Sequence, residues 1–192
     1  GGADNDTITS GTGADIITGG TGNDTINLAN NDWAAGESID GTSGTDVVIF
    51  TNATTIDFTT GTLSNIDTLT GSTGANDAVT LSAVQWAGLT TLNLVSGTDT
   101  TTVLASGVVD ISGYALTTVS AVDTGSLTGS GVSDTLTLTG EQLNAILQGA
   151  GTIALGGGAA DTINLTTTST DLNGLADGSV TGVETVSAAT AA

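Results

Sequence analysis

A nine-residue repeat at the start of the chain is the feature that most limits how the chain can fold. Residues 1–9, 10–18 and 19–27 each contain small residues, an aspartate at the sixth position and an isoleucine at the eighth. Only the first copy departs from the pattern at the fourth position, where Asp4 replaces glycine. Because a unit this short cannot bury an apolar face alone, the copies are expected to stack as a solenoid.

Each copy is interpreted as a turn of six residues followed by a strand of three. Glycine suits the turn because its backbone reaches positive φ values that a Cβ disfavours. Side chains alternate along a strand, so the middle residue of the three is expected to point inward. These inward residues are Ile8, Ile17 and Ile26.

Stacking predicts that the aspartates of alternate copies lie on the same side of the solenoid. Asp6 and Asp24 are expected on one side and Asp15 on the other. Calcium takes about six to eight oxygen ligands from carboxylates and carbonyls, so an ion between stacked turns is the predicted use. Solvated turn aspartates are the alternative. The candidate carbonyl ligands belong to Gly1, Ala3, Gly19 and Thr21.

Degenerate copies later in the chain supply further candidate ligands. Residues 41–49 form a fourth copy that contains Asp46, and fainter copies contain Asp134 and Asp161. Each copy keeps the small-residue turn, the aspartate and the inward aliphatic residue. For the last two, turn capping is an equally good interpretation because aspartate commonly caps β-turns.

Four other acidic residues are candidates on weaker grounds. Asp4, in a glycine position, either adds a ligand or only lines its loop. Asp32, Glu37 and Asp40 belong to the polar loop that interrupts the repeats. They are candidates to close a calcium site at the end of the roll.

The charge of the chain excludes several classes of function. It has 20 acidic residues and no lysine, arginine or histidine, so its formal net charge is -20. Binding to nucleic acids or to anionic membranes depends on basic side chains. Catalytic sites built on histidine, cysteine or lysine are excluded as well, and we expect no enzymatic activity. No apolar run is long enough for membrane insertion. Self-repulsion among the carboxylates favours an external cation such as calcium.

The rest of the chain reads as short β-branched strands separated by glycine or aspartate turns. The predicted fold is all-β: a right-handed parallel β-roll or β-solenoid with a few short helical turns. We divide it into a calcium-binding roll, residues 1–49, and continuing degenerate solenoid repeats, residues 50–192. Two short helices are expected, since Ser82 with Gln85 and Thr139 with Gln142 have capping-box spacing.

The three nonapeptides resemble the repeats-in-toxin (RTX) family of secreted calcium-binding proteins. The threonine-, alanine- and glycine-rich remainder is similar to RTX-bearing S-layer proteins and giant surface adhesins of Gram-negative bacteria. The resemblance implies several bound Ca²⁺ ions, type I secretion, and folding outside the cell. It also implies a structural role at the cell surface or in an extracellular matrix such as that of a biofilm.

Partners and alternatives follow from this interpretation. The chain reads as an internal piece of a longer array, so we expect it to stack end to end with copies of itself; cell-surface polysaccharide is a further candidate partner. One alternative is a glycan- or ice-binding adhesin module, with Trp33 or Trp86 stacking on a sugar or threonine rows facing ice. Core packing is the simpler interpretation of both tryptophans. Another alternative is a folding and secretion module of an exported toxin or hydrolase.

Overall fold

The structure is a computed structural model of the 192-residue chain. It describes residues 1–94, 99–104, 108–110, 118–119, 124–129, 133–140, 143–144, 147, 152–156, 159–167 and 180–188. The second predicted helix, near residues 140–148, falls partly outside the described residues.

Short strands make up most of the regular structure. The first nine are β1 (Gly2–Ala3), β2 (Thr7–Thr9), β3 (Ile16–Thr21), β4 (Thr25–Leu28), β5 (Ser38–Ser43), β6 (Val47–Phe50), β7 (Thr55–Asp57), β8 (Thr62–Ser64) and β9 (Thr68–Thr70). The next six are β10 (Ala78–Ser82), β11 (Thr91–Asn93), β12 (Thr100–Leu104), β13 (Val108–Asp110), β14 (Thr118–Val119) and β15 (Thr124–Thr128). The last five are β16 (Thr135–Leu138), β17 (Thr152–Ala154), β18 (Thr162–Leu165), β19 (Val180–Thr181) and β20 (Thr185–Ala188).

The strands form four sheets in which every pairing is parallel. Sheet A contains β1, β3, β5 and β8, and sheet B contains β2, β4, β6, β9, β11 and β14. Sheet C begins at β7 and continues through β10, β12, β15, β17 and β19. Sheet D contains β13, β16, β18 and β20. The predicted fold is confirmed: the chain is a parallel β-solenoid that matches a right-handed β-roll.

The spacing between successive turns of the solenoid changes after the exact repeats. In sheet B, Thr7 pairs with Thr25, which is 18 residues or two nonapeptides later (25 − 7). Thr25 then pairs with Val47, which is 22 residues later (47 − 25). The polar loop before β5 absorbs the four extra residues without breaking the stack. Sheets A and B continue through β8 and β9, across the boundary predicted at residue 49.

The core consists of inward side chains stacked in register. In sheet B, Ile8 pairs with Ile26, which pairs with Val48, and the row continues to Leu69. All but the half-buried Ile8 are fully buried, and Ile17 is buried in sheet A, as the repeat predicts. Each turn covers the apolar row of its neighbour, which is how a solenoid builds a core from short repeats.

Strand lengths differ from the prediction. The sequence predicts a three-residue strand in each copy, and β2 has three residues, but β3 and β5 have six each. These longer strands extend into the predicted turns, where Gly20 pairs with Gly2 below and with Thr42 above. The three-residue prediction is wrong for sheet A because the stacked turns themselves continue its hydrogen-bond ladder.

Helix α1 (Ala83–Gly88) follows β10, as its capping box predicts. The Ser82 side chain accepts a hydrogen bond from the Gln85 backbone N–H, and the Gln85 side chain accepts one from the Ser82 N–H. The helix packs beside β8, β10 and β12. It buries Trp86, which confirms the core interpretation of that residue.

An aromatic cluster lies near the 3₁₀ turn Phe58–Thr60. The ring of Trp33 meets Phe58 edge to face, with 4.6 Å between the ring centroids. The Trp33 Nε1 donates a hydrogen bond of 3.1 Å to the Thr60 hydroxyl. Trp33 is therefore half-buried against the core. None of the helices in the described part of the chain has the length and apolar character needed to cross a bilayer.

Candidate metal centre

Acidic side chains stack in a column just before the strands of sheet B. The backbone N–H of Asp6 donates to Asp24 Oδ1 at 2.8 Å, and the N–H of Asp24 donates to Asp46 Oδ1 at 2.8 Å. The N–H of Asp46 donates to Asp67 Oδ2, again at 2.8 Å. We call Asp6, Asp24, Asp46 and Asp67 the first acidic column. In each of these pairs, one carboxylate oxygen of the later turn accepts a hydrogen bond from the backbone N–H of the earlier turn.

The turns reach this geometry through residues at the fourth position of the repeat. Gly13, Gly22 and Gly44 all have positive φ angles, between 120° and 139°. Asp4 occupies the same position with φ 77°, a left-handed conformation that aspartate tolerates better than most residues. Its side chain is exposed, and its carbonyl oxygen faces the Cα of Gly22 in the next turn.

The glycine that opens each turn leaves space for two oxygens. A Cβ added to Gly19 would collide with Asp24 Oδ2 and would lie 2.7 Å from the carbonyl oxygen of Gly41. Gly1 and Gly41 have the same arrangement with Asp6 and Asp46. We call the space beside each of these glycines a cradle. Each cradle therefore holds a carboxylate oxygen of its own turn and a backbone carbonyl oxygen of the next turn.

The second oxygen of these carboxylates is buried without a hydrogen-bond donor. Asp24 and Asp46 are each 1% exposed, and their Oδ2 atoms, like that of Asp6, have no partner among the described residues. Burying a charged oxygen without a donor is costly, and the chain offers no basic side chain to compensate. Unpartnered carboxylate oxygens beside carbonyl oxygens are the donor set that calcium prefers, so these residues fit a calcium ion.

Comparison with known families agrees with this chemistry. Residues 1–33 match the family model of the RTX calcium-binding nonapeptide repeat (4 copies). The chain carries RTX repeats. RTX nonapeptide repeats bind calcium ions, so Ca²⁺ is the cofactor of this segment. No curated protein and no solved structure matches the chain.

Residues 41–46 lie outside the RTX match but repeat its geometry. Gly41 and Asp46 stand one turn above Gly19 and Asp24, with the same cradle and the same ladder hydrogen bond. The degenerate copy predicted at 41–49 is therefore built like the RTX turns below it.

Burial raises the pKa of the Asp46 carboxyl group above its ordinary value. Loss of solvent is the largest cause, and the charges of Asp24, Asp67 and Asp40 raise the pKa further. The hydrogen bond from the Asp24 N–H acts in the opposite direction. Without a metal ion, this position therefore stabilises the neutral form of the carboxyl group relative to that of an exposed aspartate.

A second acidic pair lies on the opposite side of the roll, before the strands of sheet A. The Asp15 N–H donates to Glu37 Oε2 at 3.0 Å, and the Ser10 hydroxyl donates to Glu37 Oε1 at 3.2 Å. Asp15 thus lies across the roll from Asp6 and Asp24, as the repeat predicts. Both oxygens of the buried Glu37 already accept hydrogen bonds, so Glu37 serves first as an acceptor in the ladder.

The structure separates the loop residues that the sequence grouped as one site. Asp32 Oδ2 accepts a hydrogen bond from the Ala29 N–H at 2.7 Å within its own turn. Asp40 Oδ1 accepts from the Thr42 N–H and, at 2.7 Å, from Asn65 Nδ2. These residues have different hydrogen-bond partners from Glu37, and a calcium site closed by Asp32, Glu37 and Asp40 stays a prediction.

Carbonyl ligands are needed to complete any calcium site. Within the described residues, no three acidic side chains gather into one metal-binding group. Gly1 and Gly19 stand beside the carboxylates of Asp6 and Asp24. Ala3 and Thr21 lie at the ends of β1 and β3, where they pair with each other in sheet A.

Two more acidic columns continue the pattern beyond the RTX repeats. Before sheet C, the Asp77 N–H donates to Asp99 Oδ1 at 2.8 Å. Before sheet D, the Asp134 N–H donates to Asp161 Oδ1 at 2.7 Å, and the Asp161 N–H donates to Glu184 Oε2. Of the acidic residues in these two columns, the sequence predicts only Asp134 and Asp161 as ligands. The other acidic residues of the ladders share a recognisable sequence signal. It is a turn followed by an acidic residue and then an inward aliphatic residue, as at Asp77, Asp67 and Glu184.

Proposed function

We propose that the chain is a calcium-stabilised structural repeat unit of a secreted bacterial surface or extracellular-matrix polymer. The supporting observation lies in the first acidic column, where the buried Oδ2 atoms of Asp6, Asp24 and Asp46 have no donor, in a chain without basic side chains. Calcium binding and folding are then one equilibrium, because the stacked turns assemble the ligands only in the folded state.

The charge of the chain explains how calcium controls folding. At low calcium, the net charge of -20 opposes compaction and keeps the chain soluble and extended. Millimolar calcium outside the cell neutralises the loop carboxylates and allows the turns to stack. Extracellular calcium modules bind with dissociation constants of about 10⁻⁴–10⁻³ M, which suits a switch between these compartments.

The proposed setting is the surface of a Gram-negative bacterium, in an S-layer, an adhesin stalk or a matrix filament. RTX repeats are typical of secreted proteins, and type I secretion is the route proposed for this one. Copies stack end to end, either in one longer chain or between chains. Within this role the unit is a scaffold and catalyses no reaction.

The alternative binding roles have less support. A flat ice-binding face needs threonine pairs repeated in adjacent turns, but in sheet B the Thr7 and Thr9 positions are followed by Thr25 and Asn27. Of the two tryptophans that were candidates for sugar stacking, Trp86 is buried and Trp33 is half-buried against Phe58. We therefore retain the structural role as the proposal.

Far-UV circular dichroism of the full chain, in EDTA and during calcium titration, tests this function. We expect a largely unfolded spectrum in EDTA and a β-rich spectrum with calcium, with a midpoint of about 10⁻⁴–10⁻³ M. Asp24→Asn should shift the midpoint to higher calcium. Asp57→Asn removes the same charge from an exposed position and should not. An equally folded protein in EDTA would refute the calcium-dependent function.

A further inference from the structure

A groove lies between α1 and β8, the last strand of sheet A. It has a volume of about 300 Å³, and its lining includes Leu63, Ile66, Val84 and Leu89 but no charged residue of the described chain. Val84 is 48% exposed, although most large apolar side chains of the described residues are buried. A concave, largely apolar surface with an exposed valine in its wall is typical of a binding site.

Strand β8 forms one wall of this groove and is an edge strand among the described residues. It pairs with β5, and α1 stands where the following turn would place a further strand of sheet A, between sheets C and B. The Thr62 N–H donates to the Glu37 carbonyl on the β5 side at 2.8 Å. The bonding groups of successive strand residues point to opposite sides, so the Leu63 N–H and C=O point away from β5. An added strand would pair with these groups.

A polar cleft that carries negative charge adjoins the groove. The cleft has a volume of about 240 Å³ and shares Asn65 and Ile66 with the groove. Asp67 lines the cleft, and the Asp46 N–H holds its side chain through a 2.8 Å hydrogen bond to Oδ2. Asp40 lies close by, because its Oδ1 accepts a 2.7 Å hydrogen bond from Asn65 Nδ2. A basic side chain complements these carboxylates.

We propose that the groove between β8 and α1 binds an extended, basic segment of another protein. The segment adds a strand to the edge of sheet A through the backbone groups of Leu63. It packs an apolar side chain against Val84 and places a lysine or arginine beside Asp67. A second copy of this chain does not fit, because the chain has no lysine or arginine to place there. The inference goes beyond the structural role, since it gives the folded unit a docking site for a partner.

Isothermal titration calorimetry of the full chain with short peptides, in saturating calcium, tests the proposal. The probe is Lys-Thr-Val-Thr-Lys, blocked at both ends, which presents a basic residue on each side of its valine in either strand direction. We expect one peptide to bind per chain. Glutamate in place of both lysines should weaken binding roughly tenfold or more, because like charges then face each other. Methylation of the backbone nitrogen atoms of the three central residues should abolish binding, because the added strand loses its donors.

Variants of the chain locate the peptide in the groove. Val84→Ser should weaken binding of the lysine peptide about threefold or more, because the peptide loses apolar contact. Val186→Ser is the matched control, since Val186 is 46% exposed on β20 and lies outside the groove. Asp67→Asn should also weaken binding, whereas Asp57→Asn removes an exposed charge outside both cavities and should match the parent.

Three results would overturn the docking site. They are no binding of the lysine peptide to the parent, undiminished binding of the methylated peptide, and equal binding by Val84→Ser and the parent. The last would show that the overall charge of the chain attracts the peptide, without the groove. Circular dichroism of each variant in calcium confirms that folded proteins are compared.

Discussion

At the scale of single residues, Asp24 and Asp46 in the first acidic column each have two separate tasks for their two oxygens. Asp24 uses Oδ1 to accept a hydrogen bond from the Asp6 N–H, while its Oδ2 is buried without a donor. The first oxygen fixes the position of the carboxylate, and the second leaves a charge that needs compensation. The same aspartate therefore stabilises the stack and makes it dependent on a cation.

Asp46 should make the calcium-free protein more stable in mild acid. Its folded-state pKa is raised above the ordinary value of 3.8 by burial and by Asp24, Asp67 and Asp40. Its contribution is fully present below the unfolded pKa and is lost as the pH rises through the raised folded pKa. In EDTA, the folded fraction of the parent should therefore rise as the pH falls from neutral to about 4.

Asp46→Asn isolates this effect from that of the other carboxylates. Far-UV circular dichroism of both proteins in EDTA should show a folded fraction of the variant at least as large as that of the parent at neutral pH. Its advantage should shrink as the pH falls, because the parent then carries a neutral Asp46. An advantage that grows in acid would contradict the assignment.

At the scale of the turn, close approach between successive turns depends on a missing side chain. Gly19 does not have a positive φ, so its role is to leave space for Asp24 Oδ2 and the Gly41 carbonyl. Gly11, in the neighbouring copy, has nothing within 4 Å of an added Cβ. Comparing the two glycines therefore separates the need for space between stacked turns, which applies at Gly19, from the need for a glycine in the turn itself.

Gly19→Ala should destabilise the protein by about 1–3 kcal/mol, because the added methyl group overpacks a fixed backbone contact. Gly11→Ala should stay within about 0.5 kcal/mol of the parent, as substitutions at open surface positions usually do. Urea unfolding with saturating calcium measures both free energies. Equal losses in the two variants would show that the space beside Gly19 is not required.

At the scale of the whole molecule, the inward apolar row is incompletely covered at one end. In sheet D, Leu136 pairs with Ile163, which pairs with Val186. The first two are fully buried, whereas Val186 on the last strand is 46% exposed. An exposed apolar row on a strand that lies at the edge of its sheet among the described residues favours stacking of a further turn.

The chain should therefore self-associate in calcium, and Val186→Ser should weaken that association. Val84→Ser is the matched control, because Val84 is 48% exposed on α1 rather than on a sheet edge. Sedimentation velocity should show larger species in calcium than in EDTA for the parent and the control. A monomeric parent at all calcium concentrations would contradict end-to-end assembly.

The sequence by itself determined the β-roll, the inward isoleucines and the calcium-binding turns at Asp6 and Asp24. These features follow from a nine-residue period and from local backbone chemistry, so nearby residues are sufficient to specify them. Only the tertiary structure decided that Asp67 and Glu37 accept hydrogen bonds in the acidic ladders, and that Asp32 accepts one within its own turn. It also decided that sheet C begins at β7. The ladder bonds join residues 18 to 27 positions apart. Their partners depend on loop lengths that vary from turn to turn, and only stacking brings those residues together.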